Sequence, residues 1–484
     1  MKATHRTTTA VLLVVSILAI LASSCLSGQK PNPEDDPNVV AIIGPYVITG
    51  DQFKEEYTRQ LMPNPYTAMP PRPAPDLNDV LMRMLGDKAI ILDARARGMD
   101  KRDEIVSFIK TTRQQRLANM AAQQVIGQEI AVTEKDINDV LASRPRLNRE
   151  QALAIARRQK AMQILDAHYS ELIKQLHLEK SKENIAKVAQ LHERLITKPK
   201  PPEKKNIYWI ENSQLKTDLD PNERALVLAR FDGGQFTVED WFSTLFEMAP
   251  PRRPKDLSTA EGAERFLDMA LERPLFAAEA ISKGLDKDPQ LNRELSKLED
   301  DWVFGFAQQE LAKGLDEPND GEIASFYQQV RDRYARNDAL KLAVIWCKDR
   351  QMAQKLRQEL DQGRAFELLQ QRYNSDPKAS EPTDAYGRTE GPFWAQLWAA
   401  EPNQIVGPIL GFKEGRLAWR LVKVLAKVPA EPPSFENIKG MLRDDLAEAK
   451  RQQVLDLKRK ELLARYAYKT FPQRLAGFDP RQMP

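Results

Sequence analysis

The sequence predicts a mainly α-helical protein that carries one small α+β domain. Charged residues make up 29% of the 484 residues and aromatics 7%, a balance that suits helices with solvated faces. Amphipathic helical stretches and short strands fill the chain up to Ala335. Only after Ala339 does the texture change to several strand-like runs separated by short helices and turns. The length has room for two to four domains.

The first element is a basic start (Lys2, His5, Arg6) followed by the apolar run Ala10–Ala22. That run is shorter than the ~20 residues a membrane-spanning helix needs, but it suits the core of a secretory signal. Ala22, Ser23 and Ser24 stand directly before Cys25. Small residues fit a signal peptidase's narrow cleft, and a cysteine just past the cut offers a thiol for a diacylglycerol. Residues 21–25 therefore resemble a bacterial lipobox, with Ala22 where leucine is commoner. We expect a signal peptide at 1–24 and lipidation at Cys25; an ordinary secretory signal with a chance cysteine is the alternative. Residues 25–37 are polar and proline-rich, as a flexible tether would be. Cys347 is the only other cysteine, so once Cys25 is acylated no internal disulfide can form. Cys347 is expected to act as a small buried hydrophobe.

Next come two segments that resemble each other. Residues 39–53 and 226–241 each pair a short alternating strand with a turn, then Thr and an acidic residue at a helix start. Each reaches a proline-rich break (69–77 and 249–257), then an amphipathic helix ending at Gly98 or Gly284, which suit a helix C-cap. Four matches in the same order indicate an internal duplication. Two copies are too few for a solenoid. A helix start at Val132–Ile137 opens a long charged helical region reaching Leu195. The basic, proline-rich stretch Thr197–Asn206 then gives the internal boundary, so that helical modules are expected at 38–205 and 206–337.

The α+β domain is expected at 338–428. Ala339–Trp346 reads as a strand, Asp349–Gln362 and Phe366–Tyr373 as helices, Asn374–Pro392 as a loop, and Phe393–Ala400 as a helical turn. Two strands follow, Gln404–Phe412 and Leu417–Ala426, joined by Lys413, Glu414 and Gly415. Residues 429–484 hold a long helix capped by Ser434. Its single apolar stripe (Phe435, Ile438, Leu442, Leu446, Ala449) needs a partner surface.

Residues 39–57 resemble the strand-turn-helix that opens the SurA, PrsA and PpiD-type chaperones. Residues 316–426 are similar to the approach to, and body of, a parvulin-type peptidyl-prolyl isomerase domain; Phe366–Ser380, Glu401–Ile409 and Leu417–Val424 match best. The terminal helix resembles the one that in these proteins returns to the N-terminal module. The resemblance implies SurA-like duplicated modules, a parvulin-like domain, and a role in assisting the folding of secreted or envelope polypeptides. Parvulins carry one histidine in the first strand and one in the last, with an Asp or Cys between. Here the four histidines are His5, His168, His177 and His192. The first-strand position falls in Leu342–Val344 and the last on Trp419 or Arg420. By the same resemblance Asp384 stands at the loop aspartate, with Pro382 and Thr383 replacing the usual glycines. Phe393 and Trp398 stand at the pocket aromatics. Asp384 is then either a catalytic group or a plain loop residue, and Phe393 and Trp398 either bind substrate or fill the core.

Other chemistry is poorly supported. Basic and acidic residues number 72 and 69, so nothing in the overall charge calls for nucleic acid. There is no Gly-rich phosphate loop and no metal-ligand spacing; neither a cofactor nor a metal is expected. His168, His177 and His192 are expected at solvated helix positions. Met62, Met69, Met82, Met84 and Met99 either line an adaptable client surface or fill core. The expected partners are unfolded or nascent secreted and envelope polypeptides, and a membrane reached through the lipid on Cys25, outside the cytoplasm. Three functions remain open: a chaperone with weak or no isomerase activity, a histidine-independent prolyl isomerase, and a non-catalytic adaptor lipoprotein.

Overall fold

The computed structural model describes residues 32–62, 74–127, 130–199, 208–334, 338–374, 380–475 and 478. Residues 1–31, Cys25 among them, lie outside the described residues, as does Met69. The fold is mainly α with a small α+β domain, as the sequence predicts.

The first copy of the duplication begins with β1 (Val39–Ile43) and β2 (Tyr46–Thr49), then α1 (Gly50–Leu61) and α2 (Leu77–Ala96). The Thr49 hydroxyl accepts from Gln52 N while Gln52 Oε1 accepts from Thr49 N. This reciprocal cap satisfies two of the free N–H groups at the helix start. It continues with α3 (Asp103–Ile126), α4 (Glu134–Ser143), α5 (Arg149–Gln175), β3 (Glu179–Lys180) and α6 (Lys182–Thr197). After α7 (Asn212–Asp218) and α8 (Pro221–Ala225), the second copy repeats the opening: β4 (Val227–Phe231), β5 (Gly234–Thr237), α9 (Val238–Glu247), α10 (Ala260–Ser282), α11 (Pro289–Ala312) and α12 (Asp320–Val330).

The two hairpins agree residue by residue. Val39 pairs with Thr49 and Ala41 with Ile48 across a register shift; Val227 pairs with Thr237 and Ala229 with Phe236 across the same shift. Thr237 and Asp240 rebuild the reciprocal cap. Gly98 and Gly284 end the corresponding helices at φ +77° and +75°, a conformation that favours glycine.

The α+β domain follows: β6 (Ala339–Cys347), α13 (Arg350–Asp361), α14 (Phe366–Tyr373), β7 (Thr383–Tyr386), α15 (Gly387–Glu390), α16 (Trp394–Ala399), β8 (Ile405–Lys413) and β9 (Arg416–Val428). The chain ends in α17 (Phe435–Arg465) and β10 (Tyr468–Thr470). The domain's sheet has the order β7-β6-β9-β8, antiparallel throughout. β7 lies inside the stretch expected as loop. Its four residues hold only Ala385 and Tyr386 as apolar positions, too short an alternation to read as a strand. Glu414 and Gly415 take φ +51° and +78° between Lys413 and Arg416, a two-residue turn whose twist suits a hairpin.

The long helical region expected up to Leu195 is interrupted by β3, which pairs with β4, just as β10 pairs with β1. Lys180 faces Ala229 and Thr470 faces Ala41, equivalent hairpin positions. α5 therefore leads into β3 as α17 leads into β10. The helices before them also correspond. α4 starts on the Thr133–Asp136 cap and packs on α5; α12 starts on the Asn319–Glu322 cap and packs on α17. Only residues 144–148 separate α4 from α5, whereas the α+β domain stands between α12 and α17. The two copies differ chiefly in that insertion.

The described residues divide into two compact units, one of those up to Met99 with those from Val303 onward and one of those from Asp100 to Trp302. The front of the first copy thus shares a unit with the back of the second, and the remaining halves form the other unit. The described residues on either side of the expected boundary, up to 199 and from 208, both fall within the second unit. That unit's core gathers Leu117, Ala121, Leu172, Val188, Trp241 and Phe266, all buried. In the first unit, Ile438 and Leu442 of α17 bury against Ile323, Val330 and Tyr334, so the terminal stripe has the partner surface it requires. Farther along, α17 packs on α2. Among the described residues no helix is long and apolar enough to cross a membrane.

Candidate functional site

Alternation along β6 and β9 sends side chains to two faces. On one, Ala343, Ile345, Cys347 and Leu421 pack under Ala353 and Leu356 of α13 and Phe366 and Leu369 of α14. Cys347 is a free, buried thiol whose pKa burial pushes up to about 11, with Asp349 adding to it. It behaves as a small hydrophobe.

The other face carries the candidate site. Leu342, Val344, Val422 and Val424 form its floor with Ile409 and Leu410, and Phe393 and Leu397 close over them. From the domain itself the half-buried aromatics Trp346, Trp394, Trp398, Phe412 and Trp419 pack against that cluster. Phe393 lies 5.7 Å from Phe412, ring centre to ring centre, and Trp394 stacks on Trp398 at 5.2 Å. Phe393 lies in this cluster and Trp398 packs against it. Asp384 does not join them. Its neighbour Ala385 packs into this cluster, so Asp384, exposed and paired with Lys341 on the edge strand, faces the other way.

Arg420 is one of the two residues, with Trp419, expected at the last-strand position. It pairs across the sheet with Trp346, on the same face as Val422 and Val424. Only 2% of it is exposed. Its Nη2 ion-pairs with Glu390 at the end of α15, Nη1 lies 3.4 Å from the other carboxylate oxygen, and the guanidinium sits 5.4 Å from the centre of the Trp346 ring. Its Nε is buried and has no hydrogen-bond partner among the described residues. A Cβ at Gly411 would stand 2.1 Å from that nitrogen, so only glycine there leaves room for the guanidinium. The sequence offered Arg420 as one of two last-strand positions. Glu390 and Gly411 were not legible, because one lies in the expected loop and the other acts through the space it leaves empty.

This face can bury a prolyl ring or another apolar side chain by packing on aromatic surfaces. Its one charged pair is already engaged internally. Prolyl rotation must cross a barrier of ~20 kcal/mol from amide resonance, and lowering it calls for polar groups free to meet the twisting imide. The four histidines of the chain lie elsewhere. His168 meets Glu279 at 3.0 Å and His177 meets Asp232 at 2.8 Å. His192 corrects the expectation of a solvated position. It is buried on α6, its Nδ1 2.9 Å from the Ser258 hydroxyl, with Trp241 and Phe242 beside it. Burial and then Arg253 push its pKa down to about 4. The methionines divide: Met99 is core and Met62 is exposed. Among the described residues no group of three or more His, Cys, Asp or Glu could hold a metal ion.

No curated protein matches the chain. Solved structures that it resembles include a chain from the Campylobacter jejuni SurA-like chaperones PEB4 and Cj1289, at 16% identity over 51% of this chain and 100% of that one, with a TM-score of 0.24. PrsA from Bacillus cereus matches at 18% identity over 52% and 96%, TM-score 0.20, and PrsA from Bacillus subtilis at 15% over 35% and 63%, TM-score 0.16. The family model of the PPIC-type PPIASE domain matches residues 318–440, from the start of α12 through the sheet to the first turns of α17. The stretch that holds the four-stranded sheet and the aromatic face is thus the one that matches the PPIC-type, or parvulin, domain family.

Proposed function

We propose that this protein is an extracytoplasmic chaperone of the SurA/PrsA kind, anchored by a lipid on Cys25. Its parvulin-like face holds apolar, proline-containing segments of secreted or envelope polypeptides with little or no isomerisation. The observation that carries the reading is the buried Arg420–Glu390 pair; Arg420 is one of the two residues, with Trp419, that the resemblance sets at the last-strand histidine position. Phe393, Trp398 and their aromatic neighbours support retained binding. Asp384, exposed on the other side of the sheet edge, lends a catalytic role little support. The lipid anchor rests on the sequence of residues 10–25.

The test is paired. The full-length protein is expected to suppress aggregation of an unfolded client while leaving the rate of prolyl isomerisation near its uncatalysed value. Isomerisation that Phe393→Ala abolishes would instead make the protein a histidine-independent isomerase, and neither activity would leave an adaptor lipoprotein. Metabolic labelling with palmitate is expected to mark the protein and to fail in Cys25→Ser; unchanged labelling would refute the anchor.

A further inference from the structure

The aromatic face is not left open by the rest of its own unit. Leu61, the last residue of α1, is 1% exposed, and it is buried in the same cluster as Phe393, Leu397, Ile409, Leu410, Val422 and Val424. Tyr57, one turn earlier and so on the same side of the helix, packs against that cluster too. Burial raises the Tyr57 phenol's pKa, with Asp76 adding to it, which agrees with its ring being withdrawn from water. Nothing within the parvulin-like fold requires these residues: β6 to β9 close their sheet without them. The same helix is fixed at its other end. Phe53 is fully buried and lies 5.4 Å from Phe478, which also meets Tyr57 at 5.3 Å. Met62, directly after Leu61, is 43% exposed. A helix whose base is set in the first module thus places one leucine and one tyrosine on the parvulin-like face.

We propose that this face is an intramolecular docking surface whose resident partner is the C-terminal turn of α1, with Leu61 as the anchor, and that a client gains the face by displacing that turn. The inference rests on the face being the client-binding surface. Leu61 is apolar, uncharged and at a helix end, where the last turn has the fewest backbone hydrogen bonds to lose. Such an element releases without unfolding the module behind it. A competing contact of one buried leucine lowers the apparent affinity for a client by about tenfold to a hundredfold. The face therefore selects ligands that bring at least as much apolar surface as the turn they replace, so that folded proteins with single exposed prolines are passed over.

The experiment uses the full-length protein and a fluorescein-labelled Ala-Leu-Pro-Phe peptide followed by anisotropy. Leu61→Ser is expected to tighten binding at least tenfold, and Phe393→Ala in the same chain is expected to remove the gain. Equal, Phe393-dependent binding by wild type and Leu61→Ser would overturn the docking while leaving the face as a binding site. Binding by neither, or binding indifferent to Phe393→Ala, would overturn both. A second measurement needs no variant: in the wild type, saturating peptide is expected to speed hydrogen exchange at amides 57–61 while those of β6 and β9 stay protected. Unchanged exchange at 57–61 would refute displacement.

Discussion

Arg420 is a guanidinium set among hydrophobic side chains, and its one ionic partner among the described residues is Glu390. Removing one member of such a buried pair leaves an uncompensated charge and costs about 3–5 kcal/mol, whereas replacing both by apolar residues of similar volume is often neutral. Glu390→Gln is therefore expected to lower the protection of β6 and β9 amides by ~3 kcal/mol, and Glu390→Leu with Arg420→Met to restore it; hydrogen exchange reads both. His192 gives a second residue-scale expectation. Its imidazole is held neutral in the folded state, with a pKa near 4 against 6.5 for the free group. The unfolded chain takes up the proton first as pH falls. The stability of the second unit is thus full above pH 6.5 and declines between 6.5 and 4, by at most ~3 kcal/mol. In urea unfolding followed across that window, His192→Gln should flatten the slope; an unchanged slope would place the titration elsewhere. The sequence showed that no histidine reaches the parvulin-like strands. It could not show that His192 is core, because its helix also carries Glu183, Lys187 and Arg194 and burial depends on partners far along the chain.

Among the elements, α17 shows how a pattern becomes a contact. The stripe Ile438–Leu442 was legible from its spacing, and it packs as that spacing requires. The second contact was not legible. Arg459 is buried against α2, pairing with Asp87 at 2.6 Å and with Asp456 at 2.7 Å. A Cβ on Gly86 would stand 2.7 Å from the Arg459 Cβ and Cγ. Glycine inside a helix reads as a weakness; here it lets two helices approach. Gly86→Val is expected to cost about 1–3 kcal/mol by overpacking and to release α17 from α2, detected as faster exchange at amides 455–465 with amides 438–446 unchanged. β7 and β10 escaped the sequence for a related reason. Both are short strands of mixed polarity whose partners β6 and β1 supply the order.

At the scale of the molecule, the duplication was legible from strand-turn-helix openings and matching glycines, but its pairing was not. Sequence order suggests two modules side by side, whereas the fold joins the front of one copy with the back of the other. The closing contacts end on main-chain carbonyls: Phe471 N donates to Val40 O, and the Arg474 guanidinium donates to the carbonyls of Val39, Asp36 and Glu34. Deleting residues 467–484 removes β10 and these bonds together. The deletion is expected to expose the β1–β2 amides to exchange while leaving the equivalent β4–β5 hairpin, closed by β3, protected.

The central claim is that this parvulin-like face binds proline-containing segments while its buried ion pair leaves the imide barrier untouched. Exchange NMR of a cis/trans Ala-Leu-Pro-Phe peptide with the full-length protein tests both halves in one sample. Peptide shifts are expected to move on titration while the cis/trans exchange rate stays at its uncatalysed value. Exchange accelerated in proportion to protein, and lost in Phe393→Ala, would contradict it.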